Sequence, residues 1–361
     1  MTFDAAPGYL SADDCRPADL IDVVSRKTDL ADYPYASTIE QNVLIYDGAR
    51  LRKQLSRPAC RPLVETELAR ALLDGPGIVV LAGAFDDPWV IDRATWQFEA
   101  IIAAQRAAGG ATGDHFAAGQ NDRIWNALEK LALRAPEDMH RDYHLGFAAG
   151  EQVARFPVHA HRLSTMLTLQ GAVAHTDMPV ETGPTMYLPH SQKYLPGYLA
   201  WRMPEFGEYF AASYVQLPLC KGDAVFFNPA LFHAAGANRT ADVSRMANLL
   251  QVSSALGRAM EAVDRAAMSA AVSPALQGMV DDGASPTAIA NVIAACAEGY
   301  PYPVNLDLDQ PVDGLAPRTQ ADILGRAVSE QWSRQQLETE LDTWSARRQT
   351  RRYTYSTKEI R

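Results

Sequence analysis

Three groups of side chains have the types and spacing to hold a metal. His140-Arg141-Asp142 and His175-Thr176-Asp177 each set a histidine and a carboxylate two residues apart. On a strand those two side chains leave the same face. The third is His233, inside Phe226-Phe-Asn-Pro-Ala-Leu-Phe-His-Ala-Ala-Gly-Ala-Asn238, with Arg245 following it. Two histidines and one carboxylate on one side of a metal leave open positions opposite. That arrangement suits Fe(II) taking a bidentate 2-oxo acid and then O₂. An H-x-D alone arises often by chance. An H-x-D followed by a Gly-Asp turn, an aromatic strand, a distal histidine and a downstream arginine is far more specific.

The elements that must position these groups can be read from periodicity. Val64, Leu68, Leu72 and Leu73 recur at helical spacing from Pro62, and Asp74-Gly-Pro-Gly77 stops that helix. Ile78-Val-Val-Leu81 reads as a buried strand. Helices are expected over 88–108 and 121–133. Between them and the C-terminal third lie strand-like runs at 167–174, 185–189, 214–219, 224–227 and 246–253, separated by Gly/Pro turns. Residues 1–60 read as turns and short helical pieces, and 255–298 and 318–348 return to helical patterns. Short strands punctuated by turns point to a sandwich or barrel. The expectation is therefore a mainly β core with flanking helices. In one domain of 361 residues, 1–135 would form an N-terminal helical wrap with the first strand, 136–254 the core, and 255–361 a helical extension.

The sequence resembles the phytanoyl-CoA dioxygenase family of Fe(II)/2-oxoglutarate oxygenases over roughly residues 64–253. The segments that carry the resemblance are Leu72-Leu-Asp-Gly-Pro-Gly-Ile-Val-Val80, His-Arg-Asp-Tyr-His at 140–144 and Glu181-Thr-Gly-Pro-Thr-Met-Tyr-Leu-Pro-His-Ser191. Lys221-Gly-Asp-Ala-Val-Phe-Phe227, His233, Asn238 and Arg245 complete it. The resemblance implies a double-stranded β-helix, a jelly-roll, cupin-like fold. It implies Fe(II) held by His140, Asp142 and His233, and 2-oxoglutarate paired through its distal carboxylate with Arg245, whose planar fork suits the task. In that fold four strands stand between the H-x-D and the distal histidine. Four strand-like runs lie between Asp142 and His233 and three between Asp177 and His233, so His140/Asp142 is preferred and His175/Asp177 is the alternative pair. Two departures stand out. Pro189-His-Ser-Gln192 replaces the family's Pro-Gly-Ser-His, and a helical stretch over 125–134 runs almost directly into the H-x-D, where the family has a strand.

Other residues have weaker readings. Thr168 and Gln170 alternate on a strand and could line the 2-oxoglutarate pocket. His159 and His161 form an H-x-H with no third ligand at a zinc spacing, and are expected on a loop over the pocket. Asn238 is expected to shape a turn, and Asp223 to serve the turn at 221–223. His144 is a contact or a strand histidine, and His115 sits in a Gly/Ala-rich loop.

Bulk properties narrow the classes. A net charge of −10 disfavours nucleic acid or anionic lipid as principal partner. The four cysteines are scattered and read as free thiols. No leader is visible and no apolar run nears the roughly 20 residues of a membrane helix, so the cytoplasm is expected. The leading expectation is an oxygenase that oxidises a small organic molecule with O₂, yielding succinate and CO₂, and that can form a homo-oligomer. Two alternatives stay open: a cupin-type metalloenzyme that does not use 2-oxoglutarate, and a non-catalytic barrel that binds a ligand.

Overall fold

The structure, a computed structural model, describes residues 8–108, 150–258, 263–312 and 314–349. The chain divides into two compact units, Met1–Glu261 and Ala262–Arg361.

The first unit is built around a six-stranded sheet and a two-stranded one. The strands are β1 (Thr38–Glu40), β2 (Val43–Asp47), β3 (Ile78–Ala82), β4 (Thr168–Ala174), β5 (Met186–Tyr187), β6 (Ala224–Phe227), β7 (His233–Ala234) and β8 (Ala247–Ser253). The larger sheet runs β1-β2-β3-β6-β4-β8, and β5 pairs with β7. The helices are α1 (Pro17–Val24), α2 (Gly48–Leu55), α3 (Arg61–Leu73), α4 (Pro88–Ala107), α5 (Gly150–Val153), α6 (Val158–Ser164), α7 (Gly197–Ala200) and α8 (Pro204–Ser213).

Pairing is antiparallel except between β2 and β3. Parallel neighbours need a crossover, and α2 and α3 provide it. Asp47 starts α2 by accepting from the Arg50 amide at 2.8 Å. Asp74-Gly-Pro-Gly77 ends the crossover, with Gly77 at φ +82.

Two apolar layers fix this sheet. Ile78, Val80, Ala174, Tyr187, Leu217, Val225, Phe227 and Leu231 pack on one face. Tyr33, Leu44, Tyr46, Leu51, Val64, Ala71 and Val79 pack on the other. The alternation of Ile78 and Val80 against Val79 is the period of two expected of a strand covered on both sides.

The sequence expectation of a mainly β core needs correcting in balance. Helix outweighs strand among the described residues, and the sheet is mixed. The N-terminal stretch, expected as turns and helical pieces, supplies β1 and β2. The 185–189 run contracts to Met186–Tyr187, and 214–219 contributes isolated bridges, Tyr187 to Val215 and Met178 to Leu219.

The second unit consists of α9 (Arg265–Asp281), α10 (Pro286–Cys296), α11 (Gln320–Ser329) and α12 (Arg334–Arg348). Each helix has a side-chain N-cap: Asp264, Ser285, Thr319 and Ser333. Leu276, Cys296, Ile323, Leu324, Val328, Leu337 and Leu341 form its own core. Among the described residues no helix of the chain is long and apolar enough to cross a membrane.

Leu44 tests the N-terminal hairpin. It is fully buried on β2, opposite Val79. Leu44→Ala is expected to cost about 2–5 kcal/mol, the range for deleting a buried leucine side chain. Urea denaturation checks this, and an unchanged midpoint would place β2 outside the core.

Candidate functional site

Strand β4 sits between β6 and β8, and its alternation sorts the candidate residues. Ala172 and Ala174 face the apolar layer that contains Tyr187 and Phe227. Thr168 and Gln170 share that face by the two-residue period, and Gln170 is buried. Gln170 stands opposite Phe227 on β6. The Phe227 ring meets the His233 ring with centroids 4.7 Å apart, and the Tyr187 ring at 5.0 Å. Tyr187 is itself the cross-strand partner of His233. His233, Tyr187, Phe227 and Gln170 therefore belong to one wall.

His233 is buried, and its Nδ1 lies 2.7 Å from the Leu231 carbonyl. A carbonyl only accepts, so Nδ1 carries the proton and the lone pair falls on Nε2. This is the tautomer of a metal-ligating histidine oriented by a backbone carbonyl.

Arg245 lies two residues before the start of β8 and is half-buried. Its Nη2 donates to the Gly236 carbonyl at 3.0 Å. Burial pushes its pKa down from the ordinary value, yet a guanidinium stays charged at neutral pH. Among the described residues no carboxylate pairs with it. Gly236 lies three residues beyond His233, roughly 10 Å of extended chain. A Cβ at Gly236 would collide with the Pro184 carbonyl and the Gln216 amide. Gln216 in turn donates to Pro184 at 2.5 Å. Glycine thus lets the two chains close tightly beside the arginine.

Fe(II) and a 2-oxo acid, the pair expected from the sequence, fit what these residues offer. His233 has the tautomer that a metal-ligating imidazole needs, and Arg245 is a partly dehydrated cation with no carboxylate partner among the described residues. The structure does not bring Thr168 and Gln170 to Arg245. Gln170 pairs with Gln251 on β8, six residues from Arg245 and so roughly 20 Å along the strand.

The other pair lies elsewhere. His175 follows Ala174 and has the opposite parity, on the side of Val173, which packs with Ile91 of α4. Its Nδ1 is 2.9 Å from the Thr95 hydroxyl, and its ring packs on Phe98. Burial and, secondarily, Lys221 lower its pKa. Asp177 is exposed and accepts from the Lys221 amide at 2.8 Å. The structure does not bring this pair to His233. His115, His140, Arg141, Asp142 and His144 lie outside the described residues. Within the described residues no group of three His, Cys, Asp or Glu side chains is poised for a metal.

Several minor readings can be placed. His159 and His161 are on helix α6, not on a loop. His159 is exposed, whereas His161 is buried, stacked on Tyr198 at 3.6 Å. Asn238 shapes its turn by accepting from the Thr240 amide and donating to the Val243 carbonyl. Asp223 serves its turn by accepting from the Cys220 amide at 2.8 Å.

A cluster that the sequence reading passed over surrounds the altered loop at 189–192. His190 takes φ +71, the left-handed conformation that favours glycine. It is buried, with Nδ1 3.0 Å from the Gly75 carbonyl and 2.8 Å from Lys193 Nζ, and Nε2 3.3 Å from the Thr28 hydroxyl. Burial, then Lys193, lowers the His190 pKa to about 4. The replaced glycine was the signal for this strained position, although nothing in the sequence named its partners.

Comparison with known proteins gives a family-model match, described as phytanoyl-CoA dioxygenase, over residues 59–247. No curated protein matches the chain. Similar solved structures include the non-heme alpha ketoglutarate dependent carbocyclase SnoK from nogalamycin biosynthesis. SnoK is 29% identical over 24% of this chain and 36% of its own, with a TM-score of 0.20. The epimerase SnoN from the same biosynthesis is 18% identical over 53% and 82%, with a TM-score of 0.30. AviO1 from Streptomyces viridochromogenes Tue57 is 14% identical over 53% and 96%, with a TM-score of 0.32. The match thus spans 36% of the first of these structures.

The His190 environment predicts a pH dependence. Its folded pKa lies below the usual 6.5, so the unfolded chain takes up the proton first. Stability is complete above about pH 6.5 and falls as pH drops toward 4, by up to about 3 kcal/mol. His190→Asn keeps a residue that tolerates the left-handed backbone and removes the titration. Urea midpoints at pH 7 and 4.5 should converge for the variant relative to the parent. Equal pH losses in both proteins would refute the assignment.

Proposed function

The chain belongs to the phytanoyl-CoA dioxygenase family, and from that premise we propose that it is a 2-oxoglutarate-dependent oxygenase. Membership implies a cupin-like fold and Fe(II) and 2-oxoglutarate as cofactors. In our reading the fold is a double-stranded β-helix in its finer topology, and oxygenase function resides in the first unit. The reaction is hydroxylation, or a related oxidation, of a small organic molecule with O₂.

His140, Asp142 and His233 hold the metal in this proposal. Arg245 takes the distal carboxylate of 2-oxoglutarate, and Gln170 and Thr168 line the far end of the same wall. When bound, iron and 2-oxoglutarate supply oxidation coupled to decarboxylation, giving succinate and CO₂. The protein's own part is positioning. The Leu231 carbonyl holds the His233 ring through Nδ1, which leaves Nε2 as the nitrogen that would meet the metal. Arg245, kept in place by the Gly236 carbonyl, fixes a dicarboxylate by charge-assisted hydrogen bonds that burial strengthens. Tyr187, Phe227 and Val225 keep water from the apolar side.

The observation that carries the proposal is Arg245: half-buried, cationic, bonded to a backbone carbonyl and without a carboxylate among the described residues. Leaving such a charge unpaired is costly, and an anionic co-substrate would offset that cost.

Anaerobic reconstitution with Fe(II) and titration with 2-oxoglutarate tests this through the visible charge-transfer band. The band should vanish in His140→Ala and persist in His175→Ala. Arg245→Ala should need on the order of 100-fold more 2-oxoglutarate, the range for removing one partner of a buried charge pair. A band lost only in His175→Ala would move the metal to the second pair. Bound iron with no band would favour a metalloenzyme that does not use 2-oxoglutarate, and no bound iron a non-catalytic binding protein.

A further inference from the structure

In the second unit, the loop between α10 and α11 holds apolar side chains out to solvent on a fixed frame. Its bonds run to the C-terminal half of α12. Asp309 pairs with Arg348 at 3.2 Å, both side chains largely buried, and Arg348 also donates to the Tyr302 carbonyl at 3.4 Å. At the far end of the loop the Trp344 indole donates to the Arg318 carbonyl at 2.9 Å. Within it, the Asp309 amide donates to the Asn305 carbonyl and the Val312 amide to the Ala316 carbonyl. Directed bonds at both ends and inside the loop hold its surface in one arrangement.

That surface is apolar and acidic. Tyr302, Val304, Leu306, Val312 and Leu315 are all exposed, Leu306 at 63% and Leu315 at 84%. Apolar residues exposed singly are ordinary, whereas several on one ordered loop mark a contact surface. Residues 298–317 carry Glu298, Asp307, Asp309 and Asp313 and no Lys or Arg. Glu298 and Asp309 are matched by Arg265 and Arg348. Asp307, next to Leu306, is exposed and has no cationic partner among the described residues. Such a surface suits an occupant that carries basic and apolar side chains together.

The chain carries such a segment beside the loop. In residues 350–361, Arg351, Arg352, Lys358 and Arg361 stand against one carboxylate, Glu359, and are interspersed with Tyr353, Tyr355 and Ile360. This stretch follows directly on Gln349, whose carbonyl accepts from Asn305 of the loop at 3.1 Å. It therefore starts at the surface in question, and fully extended it spans up to about 40 Å. We propose that residues 350–361 dock on the 299–318 loop of their own chain. Their aromatic and aliphatic side chains cover the exposed apolar ones, and their arginines offset Asp307. A tether this short gives an effective concentration of roughly millimolar, so a weak contact closes within one chain ahead of a second copy.

Limited trypsin digestion of the full chain, followed by mass spectrometry, tests this. Cleavage after Arg351 and Arg352 should be on the order of tenfold slower than in a synthetic peptide of residues 347–361, because cleavage tracks the fraction of time the segment is open. Leu306→Ser combined with Asp307→Asn should bring the rate to within about twofold of the peptide. Both positions are exposed and neither change adds a trypsin site; Tyr302→Ser with Val304→Ser is a second pair that should act the same way. Leu256→Ser, which alters an exposed leucine of the first unit, should leave the protection in place. Protection should also be the same from about 1 to 100 µM chain, as an intramolecular contact requires. Cleavage of the parent at the peptide's rate, or protection that neither loop pair relieves, would overturn the proposal. Protection that grows with chain concentration would overturn it too, by assigning the loop to a second copy.

Discussion

Successive side chains of β4 leave opposite faces of the sheet, and pairing with β6 on one edge and along all seven residues with β8 on the other holds that alternation against slipping. A one-residue shift would move Gln170, Ala172 and Ala174 out of the apolar layer and carry Gly171, Val173 and His175 into it. The small residue at 171 makes the observed register possible. A side chain there would strike the ring of Phe226, the β6 residue directly opposite. The same constraint decides the company that each histidine keeps. His175 is committed to Thr95 and Phe98 of α4, whereas His233 reaches the inner wall through β7.

That wall combines an apolar interior with two polar groups whose states are set locally. The Leu231 carbonyl fixes the His233 tautomer over two residues of backbone. The Gly236 carbonyl holds Arg245 from a segment that can pack so closely only because residue 236 has no side chain. Neither arrangement depends on long-range charge. Both work because a low-dielectric surround makes one well-placed hydrogen bond count for more than it would in water.

Legibility in the sequence followed the strength of local signals. The apolar runs at β3, β4, β6 and β8 were bounded by turns and emerged as strands within about two residues. The helix from Pro62 and its Asp-Gly-Pro-Gly stop were equally plain. Val43-Leu-Ile-Tyr46 is just as apolar, yet it lies within a segment crowded with turn formers. Its strand character comes from parallel pairing with β3, a contact across the α2–α3 crossover that no local window contains. The short β5 and β7 are strands chiefly because they pair with each other. At the site, His233 and Arg245 were marked by spacing. The separation of Gln170 from Arg245 was not, because it follows from the β4–β8 register. Similarly, H-x-D spacing alone does not reveal that His175 faces α4.

The loop after β5 shows how a departure from a family pattern becomes interpretable once its contacts are known. His190 occupies a left-handed position where glycine is the undemanding choice, and a strained conformation of this kind persists only where surrounding contacts over-determine it. Here those contacts reach well outside the loop. Thr28 meets the ring, the Tyr194 hydroxyl accepts from the Arg16 amide at 2.9 Å, and the Cys15 thiol contacts the Pro196 carbonyl at 3.7 Å. All three partners precede the segment matched by the family model. Leu20 and Cys15 also join Leu188, Tyr194 and Phe232 in one apolar cluster, and Phe232 immediately precedes His233. The N-terminal stretch is thus part of the packing behind the distal histidine. The region that carries the family signature is therefore smaller than the region that must fold to hold that histidine in place.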